Sequence, residues 1–479
     1  MTSVHVQPET TQPITATSSQ RYRAVWRWHF YAGLLVAPIL LVLAVTGAIY
    51  LFKEPFEEWR YQDVRTLSSP VTAARPLSEQ IAAAQQIRPG AEVMSVIPPT
   101  APDRTTRVIL QGADTGPFAE GVSVYVNPAT ATVTGQIDDS ATFMRVVRTI
   151  HGELMAGVAG DRVVEIAACW ALILVATGAY LWWSGPRKRR ATSARGRLRR
   201  VHAYTGVVAG AAVVFLVLSG LPWSGVWGAG VQRLQETTGS TTPSADAYPD
   251  TSTVPTLSGE LSHHPDAKVP WAAERLPVPP SQDDEHAAHS GTGGVLQPGA
   301  LPLERALAAA RPAIRRCPAA ECDLKILLPS DPTGVYTIVT APRRDPADAQ
   351  TLHVDQYSGR VLVSYGWAEY GLMAKAVEQG IALHEGRRYG VANLIVMLGA
   401  CLALITLVVT GVWMWWRRRP RGRVGAPARV TSRRTAYGVI AIMAVLGVLF
   451  PLAGVTMVAV LALDRLVLRR VPRLSRVFG

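Results

Sequence analysis

The chain has 479 residues, 48% of them hydrophobic, with 48 Lys and Arg against 35 Asp and Glu for a formal net charge of +13. The placement of that charge argues against nucleic acid: arginines crowd residues 187–200 and 417–434, each directly after an apolar run, and Arg21, Arg23 and Arg27 precede the first. Short basic flanks of this kind mark the cytoplasmic ends of membrane spans and meet anionic lipid head groups. No Gly-rich dinucleotide fingerprint or flavin motif lies in the loops, which argues against direct oxidation of NAD(P)H.

In chain order, residues 1–22 form a cytoplasmic tail and residues 23–52 a first span, whose apolar run is 26–52. A hydrocarbon core takes about 20 apolar residues at roughly 1.5 Å rise each. The run is too long for a cleavable signal peptide and has no small-residue cleavage site. Glu54, Glu57 and Glu58 read as a solvated acidic flank. Residues 53–142 form an external α+β domain, with a helix from Pro76 and period-two strands at 107–111, 122–126 and 133–137. Residues 143–184 hold a short interfacial helix and a returning span with its apolar run at 163–183, and 185–200 form a basic cytoplasmic loop. A third span, 201–228, runs outward again, its apolar run at 207–227.

Residues 229–298 read as a low-complexity external insertion, polar and loosely attached. His263, His264, His286 and His289, beside Asp283, Asp284 and Glu285, admit a metal-capture loop, but a solvated polar insertion is the better reading. A second α+β domain at 299–370 repeats the order of the first, with a helix at 303–310 and strands at 324–328, 335–340, 352–355 and 360–364. An interfacial helix and span occupy 371–417, with the apolar run at 391–416, and 418–435 form a second basic loop. The run 437–463, within 436–464, carries Pro451 and reads as one kinked span or as a hairpin; 465–479 are a basic tail. Cys169 and Cys401 sit in spans as small apolar fillers, while Cys317 and Cys322 favour a short-loop disulfide over a zinc or redox site.

The expected fold is a mainly α integral membrane protein: two span–α+β domain–span units forming a four-helix core, plus the C-terminal span or hairpin. Both units begin by crossing outward, so the repeats are parallel and their symmetry axis lies along the membrane normal.

The histidines carry the functional argument. His29-Phe-Tyr31-Ala-Gly33 opens the first run and His202-Ala-Tyr204-Thr-Gly206 the third, followed at one offset by Thr46-Gly47 and Ser219-Gly220. His151 precedes Thr177-Gly178 and Trp182-Trp183 by the spacing at which His384 precedes Thr410-Gly411 and Trp415-Trp416. Parallel symmetry faces His29 toward His202 and His151 toward His384, one pair near each membrane surface. Two facing neutral imidazoles suit axial ligation of haem iron, with Gly33 and Gly206 leaving room for a flat porphyrin. Gly157 and Gly160, or Gly386 and Gly390, let the short helices turn into the return spans, and Arg148, Arg387 and Arg388 could neutralise propionates. The bland alternative is an interfacial histidine bonding water or a carbonyl. The tryptophan pairs read as an aromatic belt.

In these motifs the chain resembles the PepSY-associated transmembrane helix family, iron-regulated membrane proteins that include haem-dependent siderophore reductases. The resemblance rests on the His-x-Tyr-x-Gly openings, on His151-Gly-Glu-Leu and Leu383-His-Glu-Gly386, on the Thr-Gly…Trp-Trp endings and on Leu449-Phe-Pro-Leu-Ala-Gly454. It implies PepSY-like external domains, b-type haems (two here) on His29, His202, His151 and His384, and single-electron transfer across the cytoplasmic membrane to a ferric siderophore or other ferric chelate. The electron donor would be a quinol or a redox protein. A competing expectation is a non-enzymatic PepSY protein that binds or regulates extracytoplasmic peptidases. A transporter is disfavoured, since the spans lack midplane charges and unwound Gly/Pro pairs.

Overall fold

Apolar runs free of Gly/Pro punctuation build long helices, and alternating β-branched stretches build a sheet. The computed structural model describes residues 14–111, 121–185, 194–238, 256–262, 266, 268–281, 299–315, 321–427, 433–468, 470–471 and 477. Helix α1 spans Ile14–Tyr50, α2 Lys53–Arg60, α3 Gln62–Arg65 and α4 Leu77–Ile87. Strands β1 (Val93–Ile97), β2 (Thr106–Leu110), β3 (Val122–Asn127) and β4 (Thr132–Asp138) follow. Next come α5 (Phe143–Glu153), α6 (Gly157–Ser184), α7 (Ala194–Gly220) and α8 (Gly225–Thr237). The order recurs in α9 (Leu303–Ala310), β5 (Cys322–Leu327), β6 (Val335–Pro342), β7 (Gln350–Asp355), β8 (Val361–Gly366), α10 (Leu372–His384) and α11 (Val391–Arg418). Two shorter helices, α12 (Arg433–Leu449) and α13 (Pro451–Leu463), come after.

The chain divides into a helical unit (1–45, 151–229, 399–479) and a sheet unit (46–150, 230–398). Five helices among the described residues are long and apolar enough to cross a membrane: Gln20–Tyr50, Gly157–Ser184, Gly196–Trp223, Val391–Arg418 and Pro451–Leu468. In the helical unit Val36 and Leu40 of α1 pack with Trp170 and Ile173 of α6 and with Phe450, Ala453 and Met457. Trp170 stacks on Trp28, centroids 6.1 Å apart, and donates its indole N–H to Thr456 Oγ1 at 3.0 Å.

One feature of this unit departs from the expectation. The third span does not continue to residue 227: α7 ends at Gly220, a 3-10 turn carries Pro222, and α8 starts at Gly225. The new helix start is paid for by acids on α6. Glu165, 1% exposed, accepts the backbone N–H groups of Val226 (2.9 Å) and Trp227 (3.0 Å), and Asp161 accepts that of Gly225 (3.2 Å). These are N–H groups that no intrahelical carbonyl can satisfy, at the positive end of the α8 dipole. The C-terminal run, open in the sequence between one kinked span and a hairpin, reverses at Phe450, and a Cβ on Gly454 would lie 2.6 Å from the Cα of Gly447. Only two glycines permit that approach, so α12 and α13 form a hairpin.

In the sheet unit the two expected α+β domains share one eight-stranded antiparallel sheet, ordered β4-β3-β2-β1-β5-β6-β7-β8. The halves meet where β1 pairs with β5, Val96 opposite Ile326. An unpaired strand edge is a liability, and joining the two halves removes one from each. Helices α4 and α9 cover one face through Ala84, Ala306, Val108, Val124, Ile338 and Leu352. Fully burying such a valine, isoleucine or leucine stabilises by about 1.5–3 kcal/mol. On the other face Val269, Ala273 and Leu276 pack with Leu327, Val339, Tyr365 and Tyr370. Part of the supposedly loose 229–298 segment is therefore packed structure: residues 225–237 form α8 and the described part of 256–281 seals the sheet. Its apolar residues are spaced for extended and 3-10 backbone rather than for a helix, which hid them among prolines and serines.

Candidate functional site

His29 on α1 and His202 on α7 face each other edge to face, ring centroids 6.4 Å apart and planes at 88°. Each ring is held from a further helix. His29 Nδ1 lies 2.9 Å from Thr177 Oγ1 on α6, and His202 Nδ1 lies 3.0 Å from Thr410 Oγ1 on α11. The Thr177 hydroxyl donates to the carbonyl of Ile173 at 2.7 Å, and that of Thr410 to the carbonyl of Thr406 at 2.5 Å. A hydroxyl has one proton to give, so each threonine accepts from its histidine. Nδ1 then carries the hydrogen in both rings and Nε2 keeps its lone pair, the tautomer of a metal ligand steadied by a second bond.

The glycine after each threonine lies against the imidazole, closely at Gly178 and at the edge of ordinary contact at Gly411. A Cβ on Gly178 would stand 3.3 Å from His29 Cε1, and one on Gly411 3.4 Å from His202 Cε1. The rings thus seat over bare backbone. At Gly33 and Gly206 a Cβ would meet Leu174 Cδ2 at 3.7 Å and Leu407 Cδ2 at 3.5 Å, ordinary contact distances.

Metal–imidazole bonds of about 2.0–2.1 Å to either side of one ion put ring centroids roughly 6 Å apart. The spacing of His29 and His202 fits that separation. Among the described residues no group of three or more His, Cys, Asp or Glu gathers for a metal. His29 and His202 are the residues that would hold a haem, through their two imidazoles, and their spacing suits that role.

His151 and His384 each stand where a short helix gives way to a left-handed turn. His151, on α5 in the helical unit, is followed by Leu154 (φ 51°), Met155 (φ 58°) and Gly157 (φ 54°). His384 ends α10 in the sheet unit and is followed by Gly386 (φ 75°) and Gly390 (φ 58°). Gly160 serves by size instead: a Cβ there would strike the carbonyl oxygen of Glu153.

The sequence pattern of the PepSY-associated TM region family matches residues 26–418. The chain belongs to this family. It is a multi-pass membrane protein, and the match takes in all four histidines, Thr177 and Thr410, leaving α12 and α13 beyond it. No curated protein matches the chain.

Other polar residues of this PepSY-associated protein are committed differently from what the sequence led one to expect. Arg387 donates to Glu385 at 2.7 Å, and Arg388 pairs with Asp345 at 2.9 Å and with Gln379 at 2.7 Å, so both already have protein acceptors. Glu57 is no solvated flank: its side chain is 15% exposed, pairs with Arg65 at 3.5 Å, and burial pushes its carboxyl above the usual range. Glu58 pairs with Arg104. His353, unremarked as a site in the sequence, is wholly buried between Thr337 Oγ1 (2.9 Å from Nδ1) and Tyr365 OH (3.1 Å from Nε2). Burial lowers its pKa to about 3, and with both nitrogens engaged it is a structural residue. Trp183 and Trp416 are 76% and 57% exposed, as belt residues should be. Cys169 and Cys401 are free and buried, and Cys322 is disulfide-bonded. Cys317, His263, His264, His286, His289, Asp283, Asp284 and Glu285 lie outside the described residues.

Proposed function

We propose that the protein is a haem-binding membrane electron conduit that passes single electrons across the cytoplasmic membrane to an external acceptor, ferric iron or a ferric siderophore, in iron acquisition. The observation that carries the reading is the His29–His202 pair, ring centroids 6.4 Å apart, each ring tethered at Nδ1 by a threonine so that Nε2 is left as the ligating nitrogen. Bound there, a b-type haem supplies a reversible one-electron couple. A second haem is assigned to His151 and His384, in line with the matching positions of the two histidines in the two halves of the sequence. The orientation keeps the N-terminus cytoplasmic and the sheet unit outside, following the arginine flanks. A quinol or a redox protein is the electron source.

The chain's own residues set the terms of that transfer. Thr177 and Thr410 hold the rings against rotation and raise the basicity of Nε2, since a hydrogen bond accepted from Nδ1–H pushes electron density toward the opposite nitrogen. Gly178 and Gly411 let the rings sit against the helix backbones, so that four helices fix one pair of nitrogens. At the acceptor, reduction to ferrous iron weakens coordination by hard anionic oxygens and releases the metal. The reading is tested by the visible spectrum of the purified protein and by its reoxidation after dithionite reduction, on adding a ferric chelate. Sharp α and β bands that collapse with the chelate are expected; a colourless protein overturns the proposal.

A further inference from the structure

The aromatic side chains of the sheet unit are not all inside it. Trp59 on α2 and Phe143 on α5 are 66% and 50% exposed, and Phe56 joins them. Its ring centroid lies 5.9 Å from that of Trp59 and 5.3 Å from that of Phe143, so two helices remote in sequence meet through their rings. Single exposed apolar residues need no explanation, but a contiguous patch beside charged residues marks a surface that something apolar covers.

Helix geometry accounts for the patch. Phe52 at the N-cap, Phe56 and Trp59 stand at i, i+4 and i+7, which is one face of α2. Lys53 and Glu57, about 100° further round, turn inward to Asp266 (3.9 Å) and Arg65 (3.5 Å). Glu54 and Glu58 fall on the side opposite the rings, and Glu58 pairs with Arg104. Helix α5 divides its apolar residues in the same way: Met144 and Val147 are buried, whereas Phe143 and Val146 are exposed. The rings face neither the inside of the sheet unit nor its acidic side.

Chain connections fix the level of the patch. Helix α2 starts three residues after Tyr50, at the end of the first span remote from Arg21, Arg23 and Arg27, and α5 ends four residues before the second span begins at Gly157. Within the sheet unit the end of the first span also lies against the start of another. A Cβ on Gly386 would stand 2.8 Å from Leu51 Cδ2 and 3.4 Å from Leu394 Cα on α11, where Val391, Ile395 and Val396 are exposed apolar residues of a span. The lipid boundary of these span ends is thus continuous with the rings of α2. Aromatic rings favour the headgroup level, and amphipathic helices lie in that plane with their apolar face down. We propose that Phe52, Phe56, Trp59 and Phe143 form a foot that seats the sheet unit on the lipid surface, with Glu54 and Glu58 turned to water. The inference rests on the membrane spans and is independent of the haem reading.

The test uses full-length protein, one copy per nanodisc of phosphatidylcholine and phosphatidylglycerol, carrying a nitroxide label on Trp59→Cys, Phe143→Cys or Glu58→Cys. Wild type, whose free Cys169 and Cys401 are buried, gives the labelling background. Power-saturation EPR reads collision of the label with oxygen, which concentrates in lipid, and with a water-soluble nickel chelate. Oxygen accessibility several-fold above nickel accessibility is expected at positions 59 and 143, and the reverse at 58. Trp59→Phe is the unlabelled check: lipids brominated near the headgroup should quench less tryptophan fluorescence in this variant than in wild type. Equal nickel accessibility at the three positions, or quenching unchanged by Trp59→Phe, overturns the proposal. Rings shielded from both reagents, or shielded only with two copies per disc, would assign the patch to a protein contact or to a second copy, and either result overturns it too. None of these readouts involves haem.

Discussion

Thr177 accepts the Nδ1 hydrogen of His29 at 2.9 Å while giving its own proton to the carbonyl of Ile173 one turn back. The same chain of bonds runs from His202 to Thr410 at 3.0 Å and on to Thr406. A threonine in this role fixes the tautomer, whereas a valine of the same shape cannot. Thr177→Val and Thr410→Val are therefore expected to cut haem retention by about 10–100-fold, as loss of an outer-shell partner does. Haem-to-protein ratios after dilution measure this, and variants that keep haem like the wild type contradict the role.

The glycines separate two kinds of small residue. Gly178→Val and Gly411→Val should push the imidazoles out of line, because even a Cβ at these positions stands 3.3 and 3.4 Å from Cε1. Gly33→Ala and Gly206→Ala should be tolerated, since their Cβ atoms meet leucine methyls at 3.7 and 3.5 Å. Haem content of the four variants checks the contrast, which disappears if all four behave alike.

Glu165 is expected to act on stability. Glu165→Ala leaves the N–H groups of Val226 and Trp227 without their acceptors inside the helical unit, at a cost of about 1–3 kcal/mol for each orphaned group. Hydrogen exchange over residues 225–231 should quicken, with little change in the sheet. Unchanged protection there would mean the carboxylate is dispensable.

His353 ties the sheet to pH. Its folded pKa is lowered to about 3, below the unfolded value of about 6.5. Between those values the unfolded chain binds the extra proton, so this contribution is complete above pH 6.5 and is lost as pH falls toward 3. The loss is about 1.4 kcal/mol per pH unit, or roughly 2 kcal/mol from pH 6.5 to 5. Hydrogen exchange of β6–β8 in the full chain should show this slope in wild type and lose it in His353→Gln. Equal slopes would contradict the burial argument.

Much of this was legible in the chain because it was written twice. The spans, most strands and the facing of His29 and His202 followed from apolar runs, period-two stretches and matched offsets. The Thr-Gly pairs were visible at equal spacing from His151 and His384, yet their contacts go to His29 and His202, on helices distant in sequence, which spacing along one segment cannot reveal. Strand β1 went unread because Val93-Met-Ser-Val-Ile97 carries a register shift and breaks alternation. The end of α7 was hidden because Leu221-Pro-Trp is as apolar as the span before it, and the acids that start α8 lie on α6.

The most direct test of the account is the haem content and reduced-minus-oxidised spectrum of purified wild type beside His29→Ala and His202→Ala. The account predicts two haems in the wild type and the loss of the same single haem, with its α band, in both variants. Full haem content in either variant, or a wild-type protein without a Soret band after expression with ample haem, would contradict it.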